Sequence, residues 1–403
     1  MARTKLKLKS IASGTIPGRI KIANENITAG SVDSDAMGAG AISPAKLSTT
    51  SQSLTNRNVI INGAMNVSKY GTNVTGLGAS DGYFTCDRWH LDSGATTAGR
   101  LTMTQDINDA PSGFGNSLKL SCTTADTSIA SGEILKIEQR IEGQNLQAFA
   151  KGTSGAKPFA VSFYVKGNAS ATYVCELFDQ DNSRQCSKTF NVTTDWTRVE
   201  LTFPADTTGT FDNDNAHSLS LNFWLHGGGS FTSGTLNSSG FAANNLPDRA
   251  AGISSFFDST DRTFFLTGVQ LEVGQNPTEF EHENIKITEE KCRRYLVAYG
   301  GEKNYETIVG TGIAASTTRC WFLYNPGQMR AIPTLTSANI QVDHPGVAGY
   351  GLSSYTIDSA ASSKAIFSYA DVSSGLTAGK PYALIGTSAS DAGRGYVRLS
   401  AEL

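Results

Sequence analysis

Ile22, Ile27, Val32, Met37, Ile42 and Leu47 recur at every fifth position in a stretch dominated by Gly, Ala, Ser, Thr, Asn and Asp. A helix places apolar residues every three or four positions and a strand every two, so one bulky side chain in five cannot close a core within a single chain. Several copies wound about a common axis can, each contributing one apolar residue per layer. Gly30, Gly38 and Gly40 would let the backbones approach. Residues 22–56 therefore read as a thin multi-chain stalk. Their poverty in aromatics leaves a disordered linker as the alternative.

Beyond residue 57 the period changes to two. Phe159, Val161, Phe163 and Val165 share one strand face, as do Val199, Leu201 and Phe203, then Leu219, Leu221, Phe223 and Leu225, then Phe265, Val269, Leu271 and Val273. Turn clusters such as Lys166-Gly167-Asn168 and Gly227-Gly228-Gly229 separate these runs. Strands with one apolar face need a second sheet to cover them, which predicts an antiparallel β-sandwich of jelly-roll or immunoglobulin-like kind over 57–284. The segment from Thr288 to Tyr299 predicts a helix. Thr288 is its cap, Glu289 and Glu290 lie near its positive end, and Cys292, Leu296 and Tyr299 form one stripe. It reads as a connector over 285–299. Residues 300–403 return to short strands and form a C-terminal β tip. The fold class is thus all-β: stalk, sandwich body, one connecting helix and a β tip domain.

Composition agrees: 41 Gly and 17% charged residues in 403 fit a turn-rich β protein of two or three domains. A net charge of −3 gives no global attraction to nucleic acid or membrane. There is no run of eighteen apolar residues and no apolar leader, so membrane insertion and general secretory export are not expected. Cys86, Cys122, Cys175, Cys186, Cys292 and Cys320 are scattered, which predicts reduced core thiols rather than zinc ligands or a disulfide framework. Residues 1–21 are different: Arg3, Lys5, Lys7, Lys9, Arg19 and Lys21 face no acidic residue there, and Lys5 to Lys9 alternate with Leu6 and Leu8. That pattern suits a basic peg that adds a strand to an acidic partner, or a solvated tail.

Candidate chemistry is sparse. Gly78-Ala-Ser80-Asp-Gly82 matches the nucleophile-elbow spelling without its strand and helix. The five histidines include no pair four residues apart. Asp179 with Asp181, or Asp212 with Asp214, offers a structural calcium at most; otherwise no cofactor is expected. Trp89 reads as core, with Asp87 and Arg88 tying a strand to the sandwich edge. Trp224 points away from Phe223 and Leu225 and is a candidate sugar platform or subunit contact. Trp196 sits at a strand start. In the tip, Trp321, Tyr324, Tyr350 and Tyr355 are candidate ligand-binding rings, because such side chains offer contact area at low entropic cost; core or subunit packing is the alternative.

Three separated motifs carry a resemblance. Asn58-Val-Ile-Ile-Asn62-Gly63-Ala-Met with Tyr83-Phe-Thr-Cys-Asp87-Arg88-Trp89, then Gly268-Val-Gln-Leu-Glu272-Val-Gly274 with Pro277-Thr-Glu-Phe280-Glu281, then Cys292-Arg-Arg294-Tyr295, resemble the carbohydrate-binding-module-like jelly roll of many bacteriophage tail-fibre proteins. Ile42-Ser-Pro-Ala-Lys-Leu47 is similar to fibre-shaft repeats, and Met329-Arg330-Ala-Ile-Pro333-Thr334 to a strand entrance of fibre terminal domains. The resemblance implies a non-enzymatic homotrimeric virion protein made in the host cytoplasm. Its peg would dock on other tail proteins, its stalk would pack on the axis residues Ile22 to Leu47, and its tip would bind a host-surface glycan or protein. It carries over no sugar-binding residue. A fibre that also degrades polysaccharide, and a fibre or decoration without receptor role, are the alternatives.

Overall fold

The structure, a computed structural model, describes residues 56–344, 349–387 and 394–403, all within one compact unit spanning Ser53–Leu403. The peg residues Arg3, Lys5, Lys7 and Lys9 and the axis residues Ile22, Ile27, Val32, Met37, Ile42 and Leu47 lie outside the described residues.

Two antiparallel sheets form the body. In spatial order the first holds Asn73–Leu77, Arg100–Asp106, Ser117–Thr124, Thr263–Val273, Phe159–Gly167 and Thr197–Phe203. The second holds Ala242–Ala243, Arg184–Val192, Ala171–Asp179, His217–Gly227, Ile134–Glu142, His90–Asp92 and Gly82–Tyr83. The alternating runs explain the packing: Phe159, Val161, Phe163 and Val165 meet Leu219, Leu221, Phe223 and Leu225 between the sheets, all fully buried. Phe163 sets its edge on Phe223, centroids 4.9 Å apart.

The fourth run departs from the expected face. Phe264 and Leu266 point inward, while Phe265 lies on the outer side of the sheet against Trp196. Gly268 takes φ +61° and the register shifts between Thr267 and Gln270, so an extra residue reverses the parity and Val269 and Leu271 return to the core.

That bulge is where the resemblance motifs meet. Asn58 donates to the Val269 carbonyl (3.1 Å) and accepts from the Leu271 N–H (3.0 Å). The Glu281 carboxylate accepts the N–H groups of Asn56, Arg57 and Asn58. Asn62 bridges Val67 and Asp87, and Trp89 donates to the Asn62 carbonyl. These residues are spent on tying the first segment to the last strand of the sandwich. Gly63 makes the closest approach: a Cβ there would lie 2.1 Å from the Val269 carbonyl oxygen. Because the obstacle is backbone, Gly63→Ala should destabilise by about 2–3 kcal/mol, seen as a lower urea midpoint at unchanged slope.

The connecting helix spans Ile285–Arg293 and is capped by Asn284, which accepts from the Lys286 N–H (3.0 Å). This corrects the sequence reading at both ends. Thr288 is buried inside the helix, and Tyr299 belongs to the strand Leu296–Gly300, which leaves the helix to pair with Tyr396–Ser400. Leu296–Gly300, Tyr396–Ser400 and Thr334–Ala338 make a three-stranded sheet. Beside it a six-stranded closed barrel runs Thr307–Ala314, Arg319–Tyr324, Ile366–Val372, Tyr350–Ile357, Ile340–Asp343 and Pro381–Gly386. Phe322, Val342, Ile366, Leu384, Val397 and Leu399 share this second core.

A polar junction joins sandwich and tip. Arg294 grips Glu142 with two bonds (2.7 and 2.8 Å), and Tyr295 donates to the same carboxylate. Arg88, in contact with Glu402, lies over the Tyr295 ring at 3.5 Å. Arg330 donates to the carbonyls of Ala401 and Glu402, and Arg140 to that of Leu403. Arg88 thus ties the sandwich to the tip rather than to its own edge. Next to it Asp87, almost fully buried, accepts from the Lys69 N–H (2.6 Å), and burial pushes its carboxyl up to about 7. A carboxyl raised on folding stabilises fully below its unfolded value of about 4 and loses that contribution as pH rises through the folded value. Asp87→Asn should therefore match the parent at pH 4, melt progressively higher than it as pH rises from about 4 to about 7, and keep a constant lead above that, checked by thermal melts from pH 4 to 8.

Candidate functional site

Among the candidate ring positions, only some reach a surface. On the barrel, Cys320, Phe322 and Tyr324 alternate inward, so Arg319, Trp321 and Leu323 face outward; across the pair, Phe367, Tyr369 and Asp371 do the same. Trp321 stacks parallel on Phe367 with centroids 4.6 Å apart, and meets the Tyr369 ring edge-on at 5.0 Å. Ile313, opposite Trp321, is 57% exposed, Leu323 51% and Phe367 36%, so this is an uncovered apolar strip on a rigid wall.

One end of the strip is polar. The Arg319 guanidinium lies 3.9 Å over Tyr369 and holds Asp371 with two bonds, 2.6 and 2.9 Å. Ser354 donates to the same carboxylate (3.0 Å). The bonds from Arg319 keep the Asp371 carboxyl below its ordinary range, so it stands ready as a charged acceptor. An aromatic pair bordered by a fixed cation, a carboxylate and a hydroxyl offers the apolar and polar contacts that a sugar, with its C–H face and edge hydroxyls, can use. Phe367, Arg319 and Asp371 were not singled out from sequence. The signal was there, in the spacings Arg319-x-Trp321-x-Leu323 and Phe367-x-Tyr369-x-Asp371.

The other candidates lie elsewhere. Tyr324 and Tyr355 share a hydroxyl–hydroxyl bond of 2.6 Å inside the barrel, and Tyr355 also meets Ser368. Burial pushes the Tyr355 hydroxyl up to about 12. Tyr324 is a buried barrel-interior residue and presents no ring to a ligand, which corrects its assignment, whereas Tyr355 is half-buried against the same core. Tyr350 packs at the margin of the second core and donates to the Gly375 carbonyl (3.1 Å).

Trp224 does point away from the sandwich core, but it is fully buried. Phe231 and Arg249, from the segment after strand His217–Gly227, cover it, and its Nε1 donates to Glu176 (2.7 Å). It is not a platform. Around it runs a row of polar residues in register across four strands: His90, Glu138, Asn222 and Glu176. Glu176 accepts from Trp224, Asn222 and both arms of Arg249. Burial would raise the Glu138 carboxyl, but Lys136, His90 and Arg140 hold it well below the ordinary range. Retaining and inverting glycosidases alike need one carboxyl kept protonated as acid, and Glu138 cannot serve. The segment Gly78 to Gly82 joins strand Asn73–Leu77 to Gly82–Tyr83, with no helix to expose Ser80.

The acidic turns are occupied as well. Asp179 faces Lys151, Asp181 accepts from the Asp212 N–H (3.0 Å), and Asp214 from the Ala216 N–H (2.9 Å). Among the described residues, no group of three or more His, Cys, Asp or Glu side chains is placed to hold a metal ion. The six cysteines are free and buried. Among the described residues no helix is long and apolar enough to cross a membrane.

No protein-family model matches the chain, and no curated protein matches it. Solved structures similar to it include carbohydrate-binding modules and a phage tailspike domain. The enzymatically active domain of bacteriophage CBA120 tailspike protein 4 aligns at 14% identity and TM-score 0.29, covering 54% of this chain and 21% of its own. This chain thus spans about a fifth of that structure's length. TmCBM61 in complex with β-1,4-galactotriose aligns at 8% identity and TM-score 0.29, over 54% of this chain and 99% of its own. The family 11 module of Clostridium thermocellum, with a mixed-linked tetrasaccharide, aligns at 13% identity and TM-score 0.25, over 52% and 98%.

Proposed function

We propose that this protein is a homotrimeric phage tail-fibre component that attaches to the virion through its basic N-terminus and adheres to a host-surface glycan through the outer face of its C-terminal barrel. The observation that carries the adhesion is the outward-facing Trp321–Phe367 stack, in which Phe367 is exposed and Trp321 half-buried, edged by Tyr369 and by the Arg319–Asp371 pair. Trimer and virion attachment are supported by the five-residue apolar spacing, the basic segment before it and the motif resemblance. The reading is non-enzymatic, supported by the low carboxyl of Glu138 and the four donors spent on Glu176.

Light scattering tests the assembly. A solution mass near three times 42.7 kDa, lost on removal of residues 1–50, is expected; a monomer at micromolar concentration overturns the trimer. A second reading, that the aromatic face packs against another copy, is favoured by the exposure of Ile313 and Leu323. Under that reading Trp321→Ala lowers the solution mass, whereas under the first it leaves the mass unchanged and removes glycan-dependent quenching of tryptophan fluorescence.

A further inference from the structure

Lys151 and Asp179 are both fully buried, and the Lys151 Nζ lies 2.5 Å from Asp179 Oδ2. Asp206 Oδ2 is 3.1 Å from the same nitrogen, and the carbonyls of Thr208 (2.9 Å) and Gly209 (2.7 Å) complete its surroundings. The rings of Phe211 and Phe241 stand 5.2 and 5.6 Å away. An ammonium carries three donors, and here it faces four acceptors in a site walled by aromatic rings.

The backbone is shaped to aim this side chain. Ala150 and Gly152, on either side of Lys151, take φ +49° and +79°. Gly152 donates to the Asp206 carbonyl (2.9 Å), and a Cβ on it would lie 2.5 Å from the Thr210 nitrogen. A non-glycine residue in the left-handed region persists only where its surroundings demand it. Asp179 is fixed equally well: its Oδ1 accepts from the backbone and side-chain N–H groups of Asn182, at 3.0 and 3.1 Å. Arg184 holds Asp206 in place with bonds of 2.8 and 3.1 Å.

From this geometry we propose that Lys151 and Asp179 condense into an intramolecular isopeptide bond, with Asp206 as the proton carrier. The first step is transfer of one proton from the ammonium to the Asp179 carboxylate along the contact between them, giving amine and carboxylic acid. The amine lone pair then attacks Asp179 Cγ. As the C–N bond forms, the C=O electron pair moves onto Oδ1, where the Asn182 donors already point. Asp206 takes the surplus proton from the nitrogen and returns it to the Oδ2 hydroxyl, which leaves as water while the carbonyl re-forms. The balance is one ammonium and one carboxylate in, one amide and one water out, with no oxidant or cofactor. The reacting groups are held in contact by the fold, which supplies the orientation such a step needs.

The bond would fasten the end of strand Ala171–Asp179 to the loop after Phe149, closing a loop across a sequence separation of 28. An amide does this independently of thiol redox state, in a chain whose six cysteines are all free. The alternative is an ordinary buried ion pair. Intact mass spectrometry of the denatured full chain, beside its Lys151→Arg variant, separates the two. If the bond forms, the parent is lighter than the variant by one water beyond the substitution itself, and its proteolytic digest contains a branched peptide joining residues 151 and 179. Asp206→Asn, which keeps the shape of the site, should slow or abolish the loss of water. The proposal is overturned if parent protein that elutes as a folded species and melts cooperatively keeps the full sequence mass and yields separate peptides for residues 151 and 179.

Discussion

Replacing Arg88 with alanine should destabilise the protein by about 3–5 kcal/mol, the cost of leaving a buried charge without its partner. Arg88 is 1% exposed, and its guanidinium meets Glu402, covers the Tyr295 ring and donates to the Arg140 carbonyl (2.6 Å). Burial already raises the Glu402 carboxyl, and Arg88 is the main influence that lowers it. Without the guanidinium, Glu402 would be an unpaired acid in a sealed junction that also contains the raised carboxyl of Asp87. A fall in melting temperature on the order of 5–10 °C is expected for a unit of this size. Glu402→Gln alone should cost less, since an amide can still accept, and Arg88→Ala with Glu402→Gln should cost clearly less than the sum of the two. Additive losses would mean that the pair does not interact.

The second large effect concerns adhesion and leaves stability alone. Trp321 lies outside the second core, so Trp321→Ala should move the melting temperature little. An aromatic ring that anchors a ligand is typically worth about 2 kcal/mol, a ~30-fold weaker contact when lost. In the proposed trimer three such sites would be linked, which multiplies the consequence, so cell or polysaccharide adhesion should fall below detection. Phe367→Ala should reproduce the effect, because the stack is shared between the two rings. Trp224→Phe is the matched control: it removes one donor from Glu176 inside the body and should leave adhesion intact.

The sandwich was legible because its strands alternate: three of the four runs read from sequence point where the period-two rule sends them, and the fourth fails at a single residue, Gly268, whose bulge reverses the parity of Phe265. The helix was legible in kind and not in extent. Nothing local distinguished Asn284 from Thr288 as its cap, and pairing with Tyr396–Ser400, about a hundred residues on, decides where it stops. Trp224 shows a different gap: its direction follows from alternation, but its burial depends on Phe231 and Arg249, carried by a segment rich in Gly, Ser and Asn that has no period of its own. Among the tip rings, composition could not sort Trp321 from Tyr324 and Tyr355, because which parity faces the barrel interior is fixed by closure of six strands. The junction of Arg88 with Glu402 and the burial of Lys151 against Asp179 are long-range meetings of single charged residues. No spacing rule reaches them.

Binding of the full chain to an array of immobilised bacterial surface polysaccharides, with Trp321→Ala measured alongside at equal solution mass and equal melting temperature, tests the adhesion claim most directly. The parent is expected to bind at least one polysaccharide and the variant none. A parent that binds with Trp321→Ala binding equally well, or a parent that binds nothing while the variant loses solution mass, would contradict it.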